Sequence, residues 1–217
     1  MRPKIYLFGD SITEESFTPG GWGSSLAHHF ARTADVVLRG YSGYNTRWAL
    51  KVIERVFPAA ESGDAPVAVT VFFGANDAVV PDRCSGFQHV PLDEYKQNLH
   101  DIVVFLKILL LLDFRSNGRL LALSSSPPPI DEAARLLDPY IDNLSGLPER
   151  TNESAVSGWQ KAYLRDGLHL TENGNKVVFE EVIGQLREGG ISLETLPADL
   201  PLWAEIDPKD PLKCFEK

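Results

Sequence analysis

Short apolar, β-branched runs alternate along the chain with longer segments whose apolar residues recur every three or four positions. KIYLFG (4–9), DVVLRG (35–40), APVAVTVFFG (65–74) and GRLLALSS (118–125) predict strands. The third is continuously apolar, as expected of a strand covered on both faces. Between them, WGSSLAHHFAR (22–32) puts Leu26, Ala27 and Phe30 on one helical face, and NTRWALKVIERVF (45–57) does so with Trp48, Val52, Ile53 and Val56. LDEYKQNLHDIVVFLK (92–107) opens on acids, which favour a helix amino terminus. TENGNKVVFEEVIGQLREGG (171–190) places Thr171 to cap its first turn and ends on two glycines. The β-α-β-α-β-α-β order predicts an α/β fold, a three-layer α/β/α sandwich around a parallel sheet. One domain is expected over 1–190. The proline- and acid-rich tail, 191–217, should pack on it, with Trp203 and Phe215 stapling it down.

Composition narrows the class. A length of 217 residues suits one α/β domain, and 43% hydrophobic residues supply a core. The net charge is −9, and no cluster of Lys and Arg is present. Nucleic acid and anionic membrane surfaces are therefore poor partners. IVVFLKILLLL (102–112) imitates a membrane span, but Lys107 interrupts it and it is well short of the ~20 residues required. It fits a buried helix end, or a helix running into a strand. Cys84 and Cys214 lie far apart and lack metal-ligand spacing. With the first strand opening at residue 4, a cleavable leader is not expected. The expectation is a cytoplasmic protein with reduced thiols, no cofactor and no metal.

The chemistry gathers at the carboxyl ends of the strands, where open α/β sheets bind ligands. Strand one ends in Gly9-Asp10-Ser11, strand two runs into Tyr41-Ser42-Gly43, and strand three into Gly74-Ala75-Asn76-Asp77. Asp166-Gly167-Leu168-His169 precedes the last helix. Together they supply a hydroxyl, a flexible backbone N–H, a carboxamide and an acid–histidine pair, the parts of an acyl-transfer site. Each alone has an ordinary reading. Ser11 fits a helix cap, Gly43 a turn, Asn76 a turn or cap, and Asp166 a capping acid beside a surface His169. His28-His29 sits mid-helix with no acid nearby. GWGSSL (21–26) fails the dinucleotide fingerprint, and the chain holds no GxSxG elbow, phosphate loop or HExxH pair.

Taken together, FGDSIT, GYSG, FFGAND and DGLHL resemble, in order, the four sequence blocks of the SGNH, or GDSL, serine hydrolases. GGWGSSLAHHFARTADVVLRGYSGYNTRWAL, HVPLDEYKQNL, PPPIDE, RTNES and WQKAYLRDGLHLTENGN are similar to plant isoamyl acetate-hydrolysing esterases. The resemblance implies a flavodoxin-like fold and an esterase acting on small acyl, notably acetyl, esters. It implies Ser11 as nucleophile, His169 as base and Asp166 as its orienting acid. It also implies an oxyanion hole built from Ser11, Gly43 and Asn76, with a small-molecule ester as partner.

Two rivals stand beside this reading. An O-acetylated carbohydrate is the rival substrate class, and a binding or regulatory module that no longer turns over is the rival function. A flavodoxin-like cofactor binder is disfavoured because Glu14 and Glu15 would repel a phosphate after strand one. The interval from Pro129 to Asp166 holds a short helix (131–137) but no fifth strand. Beside the resembling esterases about thirty residues, the size of a helix–strand unit, are missing after Ala155. That predicts four strands, with Asp166 and His169 tethered only by a loop and His169 less securely placed. Activity would then be impaired, as in a splice form or an imperfect gene product, and the bare strand edge would favour homo-oligomers.

Overall fold

Strand β1 (Lys4–Gly9) lies between β2 (Asp35–Gly40) and β3 (Ala68–Phe72), and both neighbours run parallel to it. The structure, a computed structural model, describes residues 2–57, 66–111 and 158–215. Among these the sheet has three strands in the order β2-β1-β3. The strand at 118–125, the helix at 131–137 and the question of a fifth strand fall outside the described residues. Gly9 of β1 is opposite Gly40 on one side and Phe72 on the other. That register brings three strand ends, and the motifs following them, to one rim.

Alternation along β1 assigns the two faces. Ile5 and Leu7 enter one core with Trp22, Leu26 and Phe30 from the segment before β2 and Val182 and Leu186 of the last helix. Phe8 enters the other, with Val69, Phe73, Ala49, Ile53, Ile102 and Leu106. Fully burying one such side chain contributes about 1.5–3 kcal/mol. Helices α2 (Trp22–His29) and α6 (Glu172–Glu188) cover the first face, and α3 (Thr46–Val56) and α4 (Leu92–Leu111) the second. This gives the α/β/α layering. A one-turn helix α1 (Ser11–Glu14) follows β1, and α5 (Gly158–Tyr163) precedes the Asp166 loop.

Some expectations need correcting. Helix α2 stops before residue 32, because Phe30 is buried and the chain must reverse through Arg32, at φ 73°, to begin β2. His28 and His29 therefore occupy its last turn, and the His29 ring packs against Phe30 and Phe179. The apolar run from residue 102 continues α4 as far as Leu111. No helix among the described residues is long and apolar enough to cross a membrane.

The tail is not stapled by aromatics, since Trp203 is 87% and Phe215 51% exposed. Charge pairing earlier in the tail holds it instead. Asp199 pairs with Arg2 and Arg32, and Arg32 also donates to the carbonyls of Leu200 and Pro201.

Candidate active site

Asp10 settles the role of the residue beside it. Its carboxylate accepts the Ile12 N–H at 3.0 Å and caps α1, so the cap is Asp10 and not Ser11. Ser11 is the first residue of that helix, where a backbone N–H has no intrahelical acceptor. The Trp22 indole donates to the Ile12 carbonyl at 3.1 Å and ties α1 to the packed layer beneath. Asp10 is buried, and that burial pushes its carboxyl up to about 6 against the Ile12 hydrogen bond, with the Asp77 charge adding to the rise.

The Ser11 Oγ lies 2.9 Å from His169 Nε2, and His169 Nδ1 lies 2.6 Å from Asp166 Oδ2. The ionised carboxylate only accepts, so Nδ1 carries the proton and Nε2 is free to take the serine's. Gly167, at φ 88°, lets the loop turn tightly enough for Asp166 Oδ1 to accept the N–H groups of Leu168 and His169. Partial burial raises the Asp166 carboxyl, but the bonds from the His169 ring and these two N–H groups outweigh it. They hold the carboxyl below its usual range.

The expectation that His169 is loosely placed is therefore corrected. Several contacts fix the loop beyond the covalent tether. Leu164 bridges to Leu170, Arg165 N–H donates to the His169 carbonyl at 2.9 Å, and the Arg165 guanidinium pairs with Glu15 just after α1. The Thr171 hydroxyl caps α6 immediately downstream.

The other rim residues converge as well. Tyr41 N–H donates to the Gly9 carbonyl at 2.8 Å, which sets the Tyr41–Tyr44 turn against the end of β1. Gly43 sits in that turn at φ 77°, a conformation costly for other residues. Among the described residues its N–H meets no acceptor. Asn76 is buried and donates one Nδ2 hydrogen to the Tyr44 carbonyl at 2.8 Å, leaving the other without an acceptor among the described residues. Asp77 anchors this loop, accepting the Thr46 N–H at 3.0 Å and the Thr46 hydroxyl; burial raises its carboxyl, opposed by these bonds.

Sequence reasoning missed three neighbours. Glu14 accepts the Ser42 N–H at 2.7 Å, Glu15 pairs with Arg165, and Gln88 contacts both Gly43 and Asn76. Glu14 and Glu15 were legible only as acids beside the serine. Gln88 left no signal.

A histidine between an acid and a buried serine at the carboxyl rim of a parallel sheet defines a hydrolase-type site, and comparison with known proteins agrees. The sequence profile of GDSL-like Lipase/Acylhydrolase matches residues 5–182. A GDSL esterase/lipase of Arabidopsis thaliana is 57% identical over 246 aligned positions, 29 more than the 217 residues here. That alignment covers 100% of this chain and 99% of the relative. The human isoamyl acetate-hydrolyzing esterase 1 homolog is 35% identical, over 95% of this chain and 89% of its own. The crystal structure of Axe2, an acetylxylan esterase from Geobacillus stearothermophilus, shares the fold at a TM-score of 0.57 and 19% identity. It covers 85% of this chain and 94% of that one. The chain belongs to the GDSL-like lipase/acylhydrolase family. It is a carboxylic ester hydrolase.

Proposed function

We propose that the protein hydrolyses small acyl esters, acetates above all, through a covalent acyl group on Ser11. The hydrogen-bonded chain Ser11–His169–Asp166 carries this reading. His169 Nε2 takes the hydroxyl proton as Ser11 Oγ attacks the ester carbonyl, and Asp166 holds the ring in the tautomer that permits it. The carbonyl oxygen becomes an oxyanion, for which the Ser11 N–H, the Gly43 N–H and the free Asn76 Nδ2 hydrogen are the donors. His169 returns the proton to the departing alcohol. A water then repeats the sequence, releasing the acid and restoring Ser11. The site uses no metal or cofactor in this scheme.

The acetate preference draws support from the likeness to isoamyl acetate-hydrolyzing esterase homologs. A carbohydrate O-acetyl ester is the second reading, favoured by one observation. Tyr41, Tyr44, Trp48 and Phe87 form a run of touching rings beside Gly43, and Phe87 is 71% exposed. Such faces suit a sugar ring. Rates on isoamyl acetate, p-nitrophenyl acetate and acetylated xylo-oligosaccharides, with Ser11→Ala as control, test both. Faster turnover of the simple acetates supports the first reading, a preference for the sugars the second, and turnover unaffected by Ser11→Ala refutes both.

The 29 aligned positions without a counterpart fit a missing stretch of helix–strand size, and its place after Ala155 rests on the sequence resemblance alone. The net charge of −9 supports the absence of a nucleic-acid partner, and the free thiols of Cys84 and Cys214 support a reducing, cytoplasmic setting. A bare sheet edge left by that segment would favour a homo-oligomer.

A further inference from the structure

We propose that Gln88 is a positioning residue that locks the Gly43 turn and the Asn76 carboxamide together as one rigid oxyanion hole. This rests on the esterase reading above. Gln88 Nε2 donates to the Gly43 carbonyl at 2.8 Å and to Asn76 Oδ1 at 3.2 Å, using both of its hydrogens. A Cβ built on Gly43 would lie 3.4 Å from the same nitrogen, so the amide rests directly against this residue. The backbone of Gln88 is fixed in turn. The buried Asn45, which caps α3 by accepting the Trp48 N–H at 2.9 Å, donates its Nδ2 to the Gln88 carbonyl at 2.7 Å.

Two backbone carbonyls dictate how both amides face. The Gly43 carbonyl only accepts, so the Gln88 NH₂ must point toward it. The Tyr44 carbonyl only accepts, so the Asn76 NH₂ must point toward that. Asn76 Oδ1 is then left for Gln88, and the second Asn76 hydrogen for the substrate. Turning Asn76 over would oppose oxygen to oxygen at Tyr44 and NH₂ to NH₂ at Gln88. Gln88 thus enforces the one orientation in which Asn76 is a donor, and binds it to the turn that carries the Gly43 N–H. A preorganised hole loses no time reorienting as charge develops. A residue that only stitched loops together would need neither the second hydrogen nor the contact with Asn76.

The test is a double-variant cycle on Gln88→Ala and Asn76→Ala, read as kcat, KM, melting temperature and the rate at which a fluorophosphonate labels Ser11. Gln88→Ala should lower kcat and the labelling rate roughly 10-fold, less than the 10²–10³ for loss of a donor outright, with KM little changed. Gln88→Glu, with oxygens facing two acceptors, should be at least as damaging. In the Asn76→Ala background Gln88→Ala should cost much less than it does alone. Full activity in both Gln88 variants, or losses that simply multiply, would overturn the proposal. A measurement on the unaltered protein guards against variants that fail to fold. A crystal structure should show Gln88 Nε2 bonded to both partners, and a Gln88 turned to solvent would refute the lock. A wild type that neither hydrolyses esters nor takes the label would instead refute the esterase reading, while that crystallographic observation still judged Gln88.

Discussion

His169 Nε2 stands 2.9 Å from Ser11 Oγ although 158 positions separate the two residues in the chain. Ser11 is held by the end of a central strand and a capped turn of helix. His169 is held by a tight acid turn, a bridge between Leu164 and Leu170, and an ion pair back to Glu15, just after the serine's helix. Among the described residues these contacts hold both positions.

Removing the base should cost more than removing its orienting acid. His169→Ala is expected to lower kcat at least as much as Asn76→Ala, by on the order of 10²–10³ or beyond. Asp166→Ala should be milder, because the Leu164–Leu170 bridge and the Arg165 contacts still hold the loop and a water can accept from Nδ1. Steady-state kinetics on p-nitrophenyl acetate decide the order. Equal damage from His28→Ala or His29→Ala would mean the wrong histidine has been chosen.

The Arg165–Glu15 pair joins the histidine loop to the turn just after α1, and both side chains are about half exposed. Exposed pairs contribute only about 0–1 kcal/mol to stability. Glu15→Gln should therefore leave the melting temperature nearly unchanged. It should still lower kcat several-fold, because a displacement of ~1 Å in the base can cost on the order of 10²-fold. The exchanged pair Glu15→Arg with Arg165→Glu should recover much of the loss. A pair of variants with unchanged kcat would show the loop needs no such tether.

Burial of Asp10 predicts a stability that varies with pH in a definite direction. Its carboxyl titrates at about 6 in the folded protein against 3.8 in the unfolded chain, so the folded state binds the extra proton. This group's contribution is fully present below pH 3.8 and is lost as pH rises through 6. Asn caps a helix as well as Asp does. Asp10→Asn should therefore gain stability relative to wild type as pH rises from 4 to 7, by on the order of 1–3 kcal/mol. Denaturant unfolding at both pH values measures it. A gap that narrows toward pH 7 would contradict the burial argument.

Three strands and the gathering of the motifs at one rim were legible in the sequence, for identifiable reasons. Strands β1 and β2 match their expected limits because apolar alternation stops at Gly9 and Gly40. Strand β3 is shorter than its apolar run, since Phe73 and Gly74 leave the ladder to deliver Asn76. Ser11, Gly43, Asn76, Asp166 and His169 were legible because each follows a strand end or precedes a helix. Gln88 and Glu14 were not, because they act by side-chain bonds to loop backbone, which leaves no period in the sequence. Trp203 misled for a related reason. An aromatic in a tail suggests burial, whereas salt bridges at Asp199 had already fixed the path.

Inserting a helix–strand segment after Ala155 gives a further expectation. The added core contacts should raise the melting temperature. Activity at saturating substrate should change little, since Ser11 and His169 already meet. A large rise in kcat on insertion would show that the triad is poorly held in the shorter chain.

The proposed hydrolysis turns on Ser11 as the nucleophile that His169 activates. Incubation with a fluorophosphonate, followed by peptide mapping by mass spectrometry, reads that out. The label should be found on Ser11 alone, and its rate of attachment should collapse in His169→Ala while the protein remains folded. Label on any other residue, or undiminished labelling without His169, would contradict the account.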